Sequence, residues 1–381
     1  MRRPLLLLLL VFAAAEATAF CGFYVASAGA KVFNKSSQVI LVRDGNRSVV
    51  TMNNDFSGEV KDFAIVVPVP TVLKRDQIRI SEQALFDMLD QYSAPRLVEY
   101  HDPNPCQQPV YSNLSDPMDT RSMVRSDGLA MERTQRTSVR IEAKYDVEEY
   151  NILILSAEKS GDLERWLKEN GYGLPKDAKE VLEPYIKNNM KFFVVKVDLE
   201  KYYELNPQMK NAEFAKLRPI QIEYNSPKFM LPIRLGMANA DGYQDLIVYA
   251  FSHKGRVEVT NYPTREIPTN VNIPGDIKPR FAEFYAALYD RAWQRNDRTS
   301  VMLEYAWNLS GFQAVKCDPC NGPPPIASQM MKAGVNWLVT NNQGYEGDVY
   351  FTRLHARYNR KLYPEDFQFI ETPNRKNFQG R

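Results

Sequence analysis

Apolar positions in this chain alternate or run continuously in short blocks, and turn-forming residues separate the blocks. That pattern predicts strands more often than helices. Gln38 to Arg43 and Arg47 to Met52 flank Asp44-Gly45-Asn46, which predicts a hairpin. Phe63 to Val67 is a buried-looking strand that Pro68 and Pro70 should stop, because proline cannot donate to a central ladder. Ile78 to Ile80 is short and extended. Val139, Ile141, Ala143 and Tyr145 alternate as in a half-buried strand, whereas Ile152 to Leu155 and "KFFVVKVDL" are continuous. Further strands are expected at Ile220 to Tyr224, Ile233 to Leu235, Gln244 to Ser252, Arg256 to Thr260 and Val301 to Trp307. Gln244 to Ser252 and Arg256 to Thr260 should form a hairpin turning at His253-Lys254-Gly255.

Helical spacing interrupts the strands in four places. Ser81 is expected to cap a helix through Tyr92, with Leu85, Met88, Leu89 and Tyr92 on one face and Pro95 beyond its end. In "SGDLERWLKENGYGLP", Asp162 is the expected cap, Leu163, Trp166 and Leu167 face inward, and Gly171 closes the end. "KDAKEVLEPYIKNNM" carries Val181, Leu182, Tyr185 and Ile186 at the same spacing. Phe281 to Trp293 is amphipathic, with Phe281, Phe284, Tyr285, Leu288 and Ala292 on its apolar face. The fold class is therefore α+β: mainly antiparallel β-sheets with inserted amphipathic helices, in one or two packed domains. A strand-rich region with one helix spans 20–101, and a turn-rich surface loop spans 102–137. A strand–helix–helix–strand unit and a hairpin occupy 138–260, and a helix, a strand and a CxxC loop occupy 261–381.

The first residues belong to neither pattern. "MRRPLLLLLLVFAAAEATAF" has a basic start, an apolar run from Leu5 to Ala15 and a small-x-small site at Ala17-Thr18-Ala19. This is a secretory signal peptide over residues 1–19, with cleavage expected between Ala19 and Phe20. The bulky Phe20 before Cys21 argues against a lipoprotein. The mature chain is expected in the periplasm or outside the cell, with no membrane span. Lys and Arg total 48 and Asp and Glu 46, and losing Arg2, Arg3 and Glu16 leaves a net charge of about +1. No global field favours nucleic acid or an anionic membrane. With 12% aromatic residues, the composition is that of an ordered globular chain.

Several phrases occur together and in order: "FCGFYVA", "SQVILVRDGNRSVVTMNNDFSGEVKDFAIVVPVP", "APRLVEYHDPNPC", "ILSAEKSGDLERWLKENGYGLP", "KFFVVKVDL", "EYAW", "CDPC" and "ETPNRKNFQGR". The set resembles the secreted bacterial proteins of domain-of-unknown-function family 2330, across nearly the whole mature chain. That resemblance implies a bacterial, exported protein and assigns no activity. Family members are expected to continue past "NFQGR" into another strand, so the end at Arg381 reads as a truncation or a fragment boundary.

Catalytic signatures are mostly absent: there is no GxSxG elbow, HExxH or GxxxxGK[ST]. His101, His253 and His355 lie far apart and read as surface or turn residues, with His101 the nearest to a cysteine, Cys106. Glu148-Glu149 and Glu365-Asp366 read as solvated surface. Lys216, Arg218 and Arg234 are dispersed, so no nucleic acid partner is expected. No catalytic, cofactor-binding or metal residue can be assigned, and no cofactor is expected.

The four cysteines, Cys21, Cys106, Cys317 and Cys320, allow three pairings. "CDPC" runs into "NGPPP", a loop rather than the helix start a redox CxxC needs, and zinc would want a second close pair. In an oxidising compartment disulfides Cys317–Cys320 and Cys21–Cys106 are preferred, the short ring contributing about 2 kcal/mol and the long one roughly 4.6. The expected function is a non-catalytic binding or structural role in the cell envelope, with an envelope or extracellular ligand. An extracytoplasmic hydrolase of polysaccharide or peptide, and a thiol–disulfide protein using "CDPC", are the alternatives.

Overall fold

The computed structural model describes residues 23–26, 33–57, 63–99, 138–170, 178–205, 207, 217–239, 242–309, 323–341 and 344–381. Ala19, Phe20, Cys21, Cys106, Cys317, Cys320, His101, Gly171, Lys216 and the loop 102–137 lie outside the described residues. Along the chain, β1 (Phe23–Ala26), β2 (Phe33–Asp44), β3 (Arg47–Ser57), β4 (Phe63–Val69) and β5 (Ile78–Ile80) precede helix α1 (Gln83–Ser93). β6 (Val139–Val147) and β7 (Tyr150–Ala157) lead into α2 (Ser160–Glu169), α3 (Ala178–Lys187), β8 (Lys191–Val197) and α4 (Leu199–Leu205). Then come β9 (Ile220–Asn225), β10 (Met230–Leu231), β11 (Gln244–Ser252), β12 (Val257–Val259), β13 (Thr264–Glu266) and α5 (Phe281–Arg295). The last elements are β14 (Val301–Asn308), α6 (Ala327–Ala333), β15 (Val339–Asn341), β16 (Gly344–Glu346), β17 (Tyr350–Tyr358), β18 (Phe367–Glu371) and β19 (Phe378–Gln379).

Among the described residues, nine strands form one sheet, β13-β14-β17-β11-β2-β3-β9-β5, with β19 beside β14. Its pairs are antiparallel except β2 with β11 and β13 with β14. A second, antiparallel sheet runs β1-β4-β8-β7-β6, and small sheets join β10-β18-β12 and β15-β16. The α+β, mainly antiparallel architecture is the one the strand and helix patterns predict.

Side-chain alternation sorts the residues into layers. Ile65 and Val67 of β4, Ile152 and Ile154 of β7 and Phe193 and Val195 of β8 share one core with Leu246, Val248 and Leu354 of the large sheet. The opposite face of the smaller sheet, with Val66, Leu155, Phe192 and Val194, packs on Leu163 and Leu167 of α2 and Val181 and Leu182 of α3. On its far side the large sheet presents Tyr249, Phe251 and Phe351, which meet Phe86, Leu89 and Tyr92 of α1 and Met330 of α6.

Several expectations need correction. β4 continues through Pro68 to Val69. Among the described residues β1 pairs only with Phe63 to Val66, and on its other side β4 keeps its register with β8 through Pro68, which lies opposite Phe192. β11 and β12 are not a hairpin, because β12 pairs with β18 while β11 lies between β17 and β2. The chain turns off at Gly255, where an added Cβ would lie 2.5 Å from the Asn374 carbonyl oxygen and 2.7 Å from that of Thr372. Ile233 to Leu235 is not a strand; the extended piece is Met230–Leu231, and Ile233 and Leu235 are buried in the turn-rich segment that follows. α1 begins at Gln83 with Glu82 before it rather than on a Ser81 cap, and α2 begins at Ser160, leaving Asp162 in its first turn. There the carboxylate still favours the helix dipole.

Phe193 tests whether the two sheets fold as one unit. It is fully buried in their shared core, so Phe193→Ala should lower stability by about 3–5 kcal/mol in denaturant unfolding, with a single transition. Two separated transitions would show that the sheets fold independently.

Candidate functional site

Charged residues on β17 and β14 assemble a buried polar network beneath α1 and α5. Arg353, His355 and Arg357 alternate along β17, so all three point to the helix-covered face. Opposite them, Leu303 pairs with Leu354 but Tyr305 pairs with Arg353, leaving Glu304 as an extra residue in a β-bulge. The bulge aims the Glu304 carboxylate at β17. Its Oε1 accepts hydrogen bonds from His355 Nδ1 at 2.7 Å and from the Tyr285 hydroxyl on α5. Its Oε2 accepts one from Arg353 Nε at 2.6 Å. Glu304 is 1% exposed and Arg353 6%, so no water screens this pairing.

The network reaches both helices. Arg353 Nη1 donates to Asp90 of α1 at 2.6 Å, and the Tyr249 hydroxyl donates to the same carboxylate at 3.0 Å. His355 Nε2 lies 3.2 Å from Asp245, which also accepts from Arg357 Nε at 2.8 Å and Nη2 at 3.0 Å. Arg357 extends to Asp290 on α5. Tyr289 of α5 stacks on the His355 ring at 4.0 Å, and the Arg357 guanidinium lies 5.0 Å from the Tyr289 ring centre.

Burial by itself would push the Glu304 carboxyl up, but the charges of His355 and Arg353 outweigh it and hold it at about 2. Burial would likewise lower the His355 imidazolium; the Glu304 charge and the bonds to Asp245 and Glu304 raise it to about 9. At neutral pH the ring is therefore doubly protonated and donates from both nitrogens. Asp245 is also held below the ordinary range, its hydrogen bond from His355 overcoming desolvation. Desolvation, aided by Glu304, keeps the Tyr285 hydroxyl protonated and donating.

Tyr285 connects this network to a cleft of about 540 Å³. One wall is the first half of α5, with Phe281, Phe284 and Leu288 half-buried. The facing walls are Leu97 and Val98 after α1 and the proline-bearing segment 267–275. Gly380 closes the floor: its amide donates to the Glu304 carbonyl at 2.8 Å and its carbonyl accepts from the Arg96 amide at 3.1 Å. A Cβ there would meet Ile267 at 3.1 Å and both the Glu304 carbonyl oxygen and Pro95 at 3.3 Å, so the close approach suits glycine.

A second cavity of about 520 Å³ lies between α3 and β18 and is lined by Tyr185, Lys228, Arg234 and Asp366. Burial raises the Asp366 carboxyl, whose Oδ1 accepts from the Tyr185 hydroxyl at 2.7 Å and the Arg234 amide at 3.1 Å. Among the described residues no three His, Cys, Asp or Glu side chains are grouped to hold a metal ion, and no helix is long and apolar enough to cross a membrane.

The structure relocates three residues read as surface. His355 is 9% exposed in the middle of β17, not in a turn, because its neighbours supply two carboxylates that make an imidazolium acceptable inside. Glu149 is fully buried and takes a bidentate pair from Arg218, while Glu148 stays exposed beside it. Asp366 is half-buried at the second cavity. His253 is exposed in a turn, as read, against the Trp337 ring. The signal for the network was present as lone charges inside apolar strands: Glu304 in "VMLEYAWN" and Arg353, His355 and Arg357 in "YFTRLHARY".

The network predicts a pH window for stability. His355 titrates near 9 in the fold against 6.5 when free, so its contribution is complete below pH 6.5 and disappears as pH rises through 9. Glu304 titrates near 2 against 4.5, so its share is present above pH 4.5 and is lost as pH falls towards 2. Each swing is on the order of 3 kcal/mol, reflecting one shared interaction. Glu304→Gln should cost about 3–5 kcal/mol at pH 6 and flatten the decline between pH 6.5 and 9. A variant that keeps the wild-type slope in denaturation at several pH values would contradict this.

No curated protein and no solved structure matches this chain. Residues 15–370 match the family described as "Uncharacterized protein conserved in bacteria (DUF2330)". With nearly its whole length covered, the chain belongs to that bacterial family.

Proposed function

We propose that this protein is an exported, non-catalytic binding component of the bacterial cell envelope, and that the cleft beside α5 holds its ligand. One observation carries the reading. Phe281, Phe284 and Leu288 occupy helical spacing that normally faces a core, yet the structure leaves them half-buried along an open cleft. Apolar surface kept open against a rigid support suits ligand capture. The carboxylate behind the Tyr285 wall, Glu304, is held ionised by three donors, which suits an anchor and not a general acid. The hydrolase reading has Asp366 in its favour, but that carboxyl already accepts two protein hydrogen bonds. Export is supported by the basic start, the apolar run and the Ala17-Thr18-Ala19 site.

The neutral fluorophore N-phenyl-1-naphthylamine tests the cleft. The wild-type protein should bind it saturably, and Leu288→Glu should weaken binding at least about tenfold while the fold stays intact, because Leu288 is half-buried and a charge there opposes an apolar ligand. Unchanged binding by the variant, or no saturable binding by the wild type, would remove the cleft from consideration.

Export has its own test. Expressed with its leader in a Gram-negative host, the recovered chain should begin at Phe20 and leave the periplasm without detergent. N-terminal sequencing that found Met1, or a lipid on Cys21, would overturn this part.

A further inference from the structure

The second cavity holds chemistry that the cleft beside α5 lacks. The end of α3, residues 227–234 around β10 and the start of β18 meet there. Some of its polar groups are already satisfied. The Asp366 carboxylate accepts from the Tyr185 hydroxyl, the Arg234 amide and the Ile233 amide. Others are uncommitted. Among the described residues, the half-buried Arg234 guanidinium has no hydrogen-bond or ion-pair partner, so its N–H donors are open to whatever fills the cavity. The side-chain amide of Gln368 and the Oδ1 of Asn188, both exposed, are uncommitted in the same sense, the Asn188 Nδ2 donating to Pro184. Donors and acceptors are therefore both on offer. Charge is balanced, because Lys228 and Arg234 stand against Glu365 and Asp366 in one lining.

Beside these groups lies a fixed aromatic surface. Phe229 is half-buried in the lining, with the Arg43 guanidinium 5.2 Å from its ring centre and the Phe369 ring 5.3 Å away. A ligand that suits this lining is uncharged, polar around its edge and apolar on its face. A pyranose ring has that division: its hydroxyls pair with planar amide and guanidinium groups, and its axial C–H bonds meet the electron-rich face of an aromatic ring. We propose that this cavity is a carbohydrate site that takes a neutral pyranose unit. The ring packs against Phe229, neighbouring hydroxyls accept from Arg234, and others exchange hydrogen bonds with Gln368 and Asn188. The volume of about 520 Å³ falls in the ordinary range for small-ligand sites. The site is separate from the cleft beside α5 and stands whether or not that cleft binds an apolar ligand.

Saturation-transfer NMR on the full-length protein tests this with the methyl glycosides of glucose, galactose, mannose and N-acetylglucosamine. At least one should bind saturably, with the strongest transfer to the axial protons of one ring face. Sorbitol, which carries the hydroxyls without a ring, should show no saturable transfer. Arg234→Ala should weaken binding about tenfold by removing hydrogen bonds from a charged donor, and Gln368→Ala about threefold. Neither side chain has a protein partner among the described residues, so both variants should keep the wild-type unfolding midpoint. Leu288→Glu, in the other cleft, should leave sugar binding unchanged.

No saturable binding by any of the four glycosides overturns the proposal. Sorbitol binding as well as the glycosides overturns it too, because the ring face would then contribute nothing. Sugar binding that is unchanged in a folded Arg234→Ala, Gln368→Ala double variant places the sugar elsewhere and removes this cavity as the site. Glucuronate or glucosamine binding more than about tenfold tighter than the methyl glucoside overturns the neutral pyranose in favour of a charged ligand.

Discussion

A carboxylate held ionised inside a sheet, between a buried guanidinium and a buried imidazolium, organises the half of this protein that carries the cleft. Glu304 would be costly there without partners. The β-bulge provides them by adding one residue to β14, so that the carboxylate meets Arg353 and His355. The same donors then pass the interaction outward. Arg353 secures α1 through Asp90, and Tyr285 and Asp290 secure α5 from the other side. Two helices are thereby fixed on one sheet face by charge-assisted hydrogen bonds with strict geometry, where apolar packing alone would allow sliding.

That rigidity explains the cleft. α5 is anchored firmly along its second half, where Tyr289, Ala292 and Trp293 are buried, and its first half projects over the segment after α1. Tyr285 sits at the boundary, its hydroxyl in the network and its ring in the wall. The apolar residues ahead of it stay open because segment 267–275, stiffened by Pro268 and Pro274, stands across from them. At the floor, Gly380 ties the end of the described chain to the Glu304 carbonyl and to Arg96. Support and cleft wall are thus parts of one arrangement, and a change in the first should be felt in the second.

Local chemistry made much of this legible in the sequence. The first hairpin is readable because Gly45 can take the positive φ of 54° that a tight two-residue turn demands. The long alternation in β11 and the helical spacing in α5 are similarly local. What escaped depends on contacts distant in sequence. β12 leaves β11 because the backbone at Thr372 to Asn374 packs over Gly255, and nothing near Gly255 announces that. Phe281, Phe284 and Leu288 look like core residues, and only the placement of 267–275 makes them a wall. His355 looked ordinary because a lone histidine carries no spacing motif. Its partners come from β14 and β11, 51 and 110 residues away. A strand that reads Arg-x-His-x-Arg on one face, in an otherwise apolar stretch, is nevertheless a sign that carboxylates wait across from it.

The central claim is that the network-supported cleft beside α5 receives an apolar ligand. A crystal structure of the wild-type protein with a terminally brominated decanoate tests it directly, since the bromine can be located by its anomalous signal. The account predicts a bromine peak between the first half of α5 and segment 267–275. A peak in the second cavity beside Asp366, or an empty cleft in crystals grown with saturating ligand, would contradict it.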